Sequence, residues 1–203
     1  AGGMALQRSV AERWREVAGT PVIEGYGLTE ASPVVTLNPS HRVKLGTIGV
    51  PLPSTQVACL DSQGREVAAG EMGELAVRGP QVMLGYWRRP DETAKVMCGG
   101  WLLTGDIATI DEEGYVRIVD RRKDMILVSG FNVYPGEIEQ VIWGHPAVQD
   151  CAVIGVPDDK WGERVVAVVQ PRPGAAIDEA ELIAFVKAKI GSVKAPKQVH
   201  VWP

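Results

Sequence analysis

The chain has 203 residues, 45% hydrophobic and 23% charged, with a formal net charge of -4 at pH 7. That is an ordinary balance for a globular protein of one medium or two small domains, with no general attraction to nucleic acid or anionic membrane. No apolar run approaches the roughly 20 residues needed to span a bilayer, and the opening AGGMALQRSV lacks the basic start and apolar stretch of a secretory signal.

Leu6, Val10, Trp14 and Val17 recur at spacings of three and four, which predicts an amphipathic helix over 4–18. Gly19 closes it, with Thr20-Pro21 just beyond. A short apolar step, Val22-Ile23, leads into EGYGLTE. Alternation and two prolines in GTIGVPLPSTQVACLD predict short strands, DSQGREV a hairpin turn, and GELAVRG a further strand. PQVMLGYW reads as loop, and RRPDETAKVM as a short helix started by Pro90 and Asp91. Ile107–Ile110 and Tyr115–Val119 are predicted strands joined by DEEG, within a small antiparallel or barrel-like unit over 45–119.

The texture changes after 120. Met125–Val128 is a predicted short strand, and Pro135 opens a helix with Ile138, Val141 and Ile142 on one face. AVQDCAVIGVPD and RVVAVVQPRP read as strands. DEAELIAFVKAKI reads as a second helix, capped at or beside Asp178, with Lys187 and Lys189 in its last turn. This is an α+β module with two helices on one small sheet. Cys59, Cys98 and Cys151 are odd in number and widely spaced, as expected of thiols in a reducing compartment rather than of a disulfide framework. His41, His145 and His200 are not spaced like zinc ligands.

Three segments suit chemistry. In Glu24-Gly25-Tyr26-Gly27-Leu28-Thr29-Glu30, the glycines would let the backbone approach a ligand. Tyr26 offers a flat face for an adenine ring, Thr29 a hydroxyl for a phosphate oxygen, and Glu30 a hard carboxylate for Mg2+. A plain glycine-rich turn fits the same residues. In Thr104-Gly105-Asp106, an aspartate on a tight turn can accept both hydroxyls of a ribose, or simply cap that turn. The cluster Asp120-Arg121-Arg122-Lys123-Asp124 can bind an anion and act as a hinge, or be a solvated linker.

The order of these segments, GYGLTE, then TGD, then DRRKDMILVSGFNVYPGEIE, resembles the adenylate-forming superfamily of acyl-CoA synthetases, peptide-synthetase adenylation domains and luciferases. TIGVPLPST, GPQVMLGYWRRPDET and VDRRKDMILVSGFNVYPGEIE make it most similar to bacterial long-chain fatty acid–CoA ligases, along essentially the whole chain. The resemblance implies an α+β / α/β fold in three parts. Residues 1–119 would be the C-terminal part of the large adenylating domain, with the helix and GYGLTE loop over 1–44 and a β-barrel-like subdomain over 45–119. Residues 120–124 would be a hinge, and 125–203 a small mobile C-terminal domain.

The implied activity is ATP-dependent ligation of a fatty acid to CoA through an acyl-adenylate, with Mg2+. Other carboxylic acids, aryl or medium-chain, are an alternative, as is a non-catalytic module that binds AMP or CoA. By matching position, Gly25, Tyr26, Gly27, Thr29, Asp106 and Arg121 would bind nucleotide, with Glu30 as metal ligand and Lys123 as hinge residue. Ser129, Gly130, Phe131 and Asn132 would face the CoA arm. The resemblance implies a cytoplasmic enzyme with no nucleic-acid partner, with room for peripheral membrane association and for a homodimer through an exposed apolar face. Two family features are missing from these 203 residues: the upstream phosphate loop ending in Pro-Lys-Gly, and the Gly-Lys that aids adenylation. Lys197, in Ala195-Pro196-Lys197, belongs to the step before that lysine and takes no catalytic role. The expectation is therefore a partial chain, inactive alone.

Overall fold

A computed structural model describes residues 1–3, 6 and 8–202. The chain divides into two compact units, Ala1–Ile118 and Val119–Pro203.

In the first unit, α1 (Arg8–Ala18) occupies most of the predicted helix, and Met4, Ala5 and Gln7 lie outside the described residues. Gly19 ends it in a left-handed conformation (φ 68°), its N–H bonded to the Arg15 carbonyl at 3.0 Å. The apolar stripe does not enter a core among the described residues. Val10, Trp14 and Val17 are 52%, 53% and 74% exposed and line an open groove with Arg13, while Ala11 is buried. Spacing fixed the helix but could not say which face meets protein.

Strands β1 (Gly25–Gly27), β2 (Val34–Leu37) and β3 (Val50–Pro51) form a three-stranded antiparallel sheet. The larger sheet is built from β4 (Gln56–Leu60), β5 (Gly73–Arg78), β6 (Met97–Cys98), β7 (Trp101–Ile110) and β8 (Val116–Arg121). Its order is β4-β5-β7-β6, with β8 also paired to β7. The β4–β5 connection turns at Asp61, whose carboxylate accepts from the Gln63 and Arg65 amides at 2.8 and 2.9 Å, as DSQGREV suggested. Helix α2 (Pro90–Val96) starts with proline at its first turn. Leu75, Ala108 and Val116 form one buried cluster, and Ala31, Val35 and Val77 another. Tyr26 packs against both.

In the second unit, β9 (Ile126–Val128) and β10 (Phe131–Val133) form a hairpin, followed by α3 (Pro135–Trp143), β11 (Val148–Asp158), β12 (Gly162–Pro171), α4 (Glu179–Lys194) and β13 (Gln198–Val201). The sheet order is β10-β9-β12-β11, and β13 runs parallel to β12. Ile138 and Ile142 of α3 and Leu182 and Val186 of α4 bury completely against Ile126, Val165, Val169 and Val199. Val141, expected on the same face, is partly buried at the edge of that core. Asp178 caps α4, accepting from the Glu181 amide at 2.8 Å. The helix is longer than its sequence pattern implied. It continues to Lys194 across a break at Gly191 (φ 82°), so Lys187 and Lys189 are not in its last turn and Lys194 is. Lys194 closes on Glu137 with both carboxylate oxygens at 2.7 Å. β10 and β13 were not legible as strands.

Candidate active site

The fold gives the second glycine of GYG a packing role of its own. A Cβ on Gly27 would lie 2.2 Å from the Pro33 carbonyl oxygen, so glycine is needed where β1 crosses close to the start of β2. The close approach seen here is strand to strand. After β1, Thr29–Ala31 form a single tight turn that ends in a left-handed Ser32 (φ 56°). That turn anchors Glu30 beside a buried Ala31 and leaves Thr29 exposed.

Thr104-Gly105-Asp106 is not a turn between strands. It lies inside β7, where the pairing with β5 slips between Glu74 and Ala76. This is a β-bulge, and Gly105 supplies its positive φ of 77°. The Thr104 hydroxyl donates to the Leu75 carbonyl at 2.8 Å and accepts from the Asp106 amide at 3.1 Å, and the Gly105 amide donates to Glu74 Oε1 at 3.2 Å. Asp106 is thus held on a sheet rather than on a loop. The Tyr26 hydroxyl donates to Asp106 Oδ2 at 2.5 Å, across 80 positions of sequence. The geometry joins the first two motifs: a half-buried carboxylate fixed by its bulge and by a phenol.

Glu30 has a partner that motif reasoning did not name. The Tyr86 hydroxyl donates to Glu30 Oε1 at 2.8 Å, and the Met83 amide donates to the Glu30 carbonyl at 2.8 Å. The neighbouring carboxylate pushes the Tyr86 hydroxyl above the usual phenol range, chiefly through that hydrogen bond. Tyr86 sits within the GPQVMLGYWRRPDET run, so its position was visible but its role was not. No group of three or more His, Cys, Asp and Glu side chains that could hold a metal exists among the described residues. A single carboxylate nonetheless fits Mg2+, which commonly takes one or two protein carboxylates and completes its shell with water and phosphate oxygens.

In the second unit, Arg121 ends β8 and Lys123 lies in the short turn Arg122–Asp124, both exposed. Asp120 holds this stretch, its two oxygens accepting from the Arg121 and Gly136 amides, each at 2.7 Å. The predicted CoA-facing residues form the tight hairpin between β9 and β10. Ser129 and Gly130 are both left-handed (φ 49° and 85°), and Phe131 is 61% exposed. The Ser129 amide donates to the Trp161 carbonyl at 2.7 Å, which puts Trp161, with Lys160 over its ring at 4.6 Å, beside the turn. Trp161 was not singled out in the sequence, where six dispersed tryptophans gave no reason to choose one. Asn132 bonds the Tyr134 side chain, whose hydroxyl is pushed up mainly by burial. The predicted site residues therefore fall in two groups: Gly25, Tyr26, Gly27, Thr29, Glu30 and Asp106 in the first unit, Arg121, Lys123 and Ser129 to Asn132 in the second.

The family profile described as AMP-binding enzyme matches residues 1–87, and that of the AMP-binding enzyme C-terminal domain matches residues 137–203. The chain belongs to the AMP-binding, adenylate-forming enzymes. Within that family it is 54% identical over 201 residues to a long-chain-fatty-acid–CoA ligase of Salmonella typhimurium, covering 98% of this chain and 36% of that protein. It is 46% identical to a feruloyl-CoA synthase of an Amycolatopsis species, covering 98% of this chain and 41% of that one. The chain thus spans little more than a third of the length of the curated relatives it matches. Among solved structures, ATP-bound MatB from Rhodopseudomonas palustris superposes with a TM-score of 0.94 at 39% identity, over 99% of this chain and 40% of that one. The o-succinylbenzoate CoA synthetase of Bacillus subtilis, in complex with its acyl-adenylate, superposes with a TM-score of 0.88 at 33% identity, over 99% and 41%.

Proposed function

We propose that this chain carries the adenosine-facing and CoA-facing parts of an AMP-forming ligase that joins a long-chain fatty acid to CoA. The observation that carries the reading is the 2.5 Å bond from Tyr26 to Asp106, which assembles two distant motifs into one acceptor. In the first half-reaction a carboxylate oxygen of the acid attacks the α-phosphorus of ATP. The P–O bond to pyrophosphate breaks, leaving acyl-AMP. In the second, the CoA sulfur attacks the acyl carbonyl carbon, the C–O bond to AMP breaks, and the thiol proton is lost to a base.

In this reading Asp106 accepts the ribose hydroxyls, a role shared by Arg121. Gly25, Tyr26 and Gly27 border the adenine and acyl side, and Thr29 bonds the α-phosphate. Lys123 is the hinge residue, and Ser129, Gly130, Phe131 and Asn132 line the path of the CoA arm. Glu30 would hold Mg2+, which offsets charge on the phosphate oxygens. The family setting favours a cytoplasmic enzyme that can meet membranes for its acids, and no described helix is long and apolar enough to cross one.

Aryl acids are the second reading, favoured by the 46% identity to a feruloyl-CoA synthase. Palmitate and ferulate offered to the full-length enzyme separate the two. Palmitate is expected to be ligated with much the higher kcat/KM, and preference for ferulate would reverse the assignment. The 203-residue chain, with neither Pro-Lys-Gly nor Gly-Lys in its sequence, is expected to bind AMP without forming palmitoyl-CoA. Turnover by the purified chain would refute that division of labour.

A further inference from the structure

We infer that Tyr86 is a positioning residue for the Glu30 carboxylate, fixing one oxygen so that the other is aimed at a divalent cation. The inference rests on the reading of Glu30 as a metal ligand. Tyr86 Oη donates to Oε1 at 2.8 Å, and Oε2 makes no hydrogen bond or ion pair among the described residues. One oxygen is committed and the other is open, the arrangement a hard cation needs from a monodentate carboxylate.

The support behind Tyr86 points the same way. Its amide donates to the Thr93 hydroxyl at 2.9 Å, and that hydroxyl donates to the Arg89 carbonyl at 2.9 Å, so the first turn of α2 holds its backbone. Gly85 packs on the same Thr93, where a Cβ would come within 2.8 Å of the Thr93 methyl. The Met83 amide bonds the Glu30 carbonyl at 2.8 Å, so the loop grips Glu30 through both main chain and side chain. Tyr86 itself is 37% exposed. A hydrogen bond so open to water adds little to folding, so its effect is sought in orientation. Such outer partners of metal ligands commonly change metal affinity about 10- to 100-fold when removed.

The test titrates the isotope-labelled chain with Mn2+ in the presence of ATP and follows paramagnetic broadening of the Thr29, Glu30 and Ala31 amides by NMR. The wild-type chain is expected to broaden locally at this turn, and Glu30→Gln to lose the effect. Tyr86→Phe, which keeps the ring, is expected to need about 10-fold more Mn2+ for equal broadening. Its metal-free nucleotide shifts at Gly27 and Asp106 and its melting temperature should match wild type, which a merely structural role for Tyr86 would not allow. If Tyr86→Phe titrates like wild type while Glu30→Gln is deficient, the positioning role is wrong and the metal role of Glu30 stands. If the wild-type chain shows no local broadening, or Glu30→Gln behaves as wild type, the reading of Glu30 fails and this inference fails with it.

Discussion

Tyr26→Phe removes one oxygen and leaves the ring that packs against the two core clusters of the first unit. The lost bond, 2.5 Å to a carboxylate, belongs to the charge-assisted class worth about 1.5–3 kcal/mol when well shielded. Tyr26 and Asp106 are only half buried, so water replaces part of that, and about 1 kcal/mol is the reasonable expectation. Two readouts follow. Urea unfolding of the first unit should lose about that amount. AMP affinity by titration calorimetry should fall about 5-fold, because 1.4 kcal/mol is a factor of 10 and a loosened Asp106 must be re-ordered on binding. The control is 2′-deoxy-AMP. If Asp106 accepts the ribose hydroxyls, the advantage of AMP over the deoxy nucleotide should shrink in the variant. A stability loss with unchanged AMP affinity and unchanged discrimination would refute the link between this bond and nucleotide binding.

Gly27→Ala places a methyl 2.2 Å from the Pro33 carbonyl oxygen, against backbone that cannot rotate away, and should destabilise the first unit by about 1–3 kcal/mol in urea; a loss under about 0.5 kcal/mol would show that β1 and β2 separate easily. Lys44→Met removes the cation that Asp111 and Glu113 share, at 2.5 and 2.9 Å. Glu113 is held low chiefly by its Lys44 hydrogen bond; burial pushes Asp111 up, but Lys44 and the turn amides outweigh it. Carboxylates held low in the folded state add stability above their unfolded pKa of about 4 and lose it as pH falls through the folded value. Urea midpoints of the wild type should therefore drop below about pH 5, those of the variant less steeply, and parallel curves would contradict the assignment.

The second unit was the more legible in sequence. Ile138 and Ile142 recur with helical period beside Pro135, and the valine runs of β11 and β12 have no other home than a sheet. What was missed there is short or non-local. β10 is three residues set by a hairpin turn, and β13 depends on a partner far back in sequence. In the first unit, motif residues were legible by type but not by arrangement. TGD reads as a turn because glycine after threonine usually marks one, whereas here the same φ serves a bulge inside a ten-residue strand. The apolar stripe of α1 identified a helix without identifying its partner. Tyr86 and Trp161 carried no local signal, since what distinguishes them is a hydrogen bond across 56 positions in one case and a backbone contact with a distant turn in the other.

The parallel pairing of β13 with β12 bears on how the second unit is made. On one side β12 is covered along its length by β11, its hairpin neighbour. On the other, Val166 to Val169 wait for Gln198–Val201, which emerge from the ribosome only after α4. Until then a run of four apolar residues, three of them β-branched valines, stands as an open sheet edge, the kind of surface on which nascent chains associate. Synthesis thus creates a vulnerable interval that ends only when four late residues arrive. Solubility during expression should be more sensitive to changes in 198–201 than a strand with two of its four residues exposed would suggest.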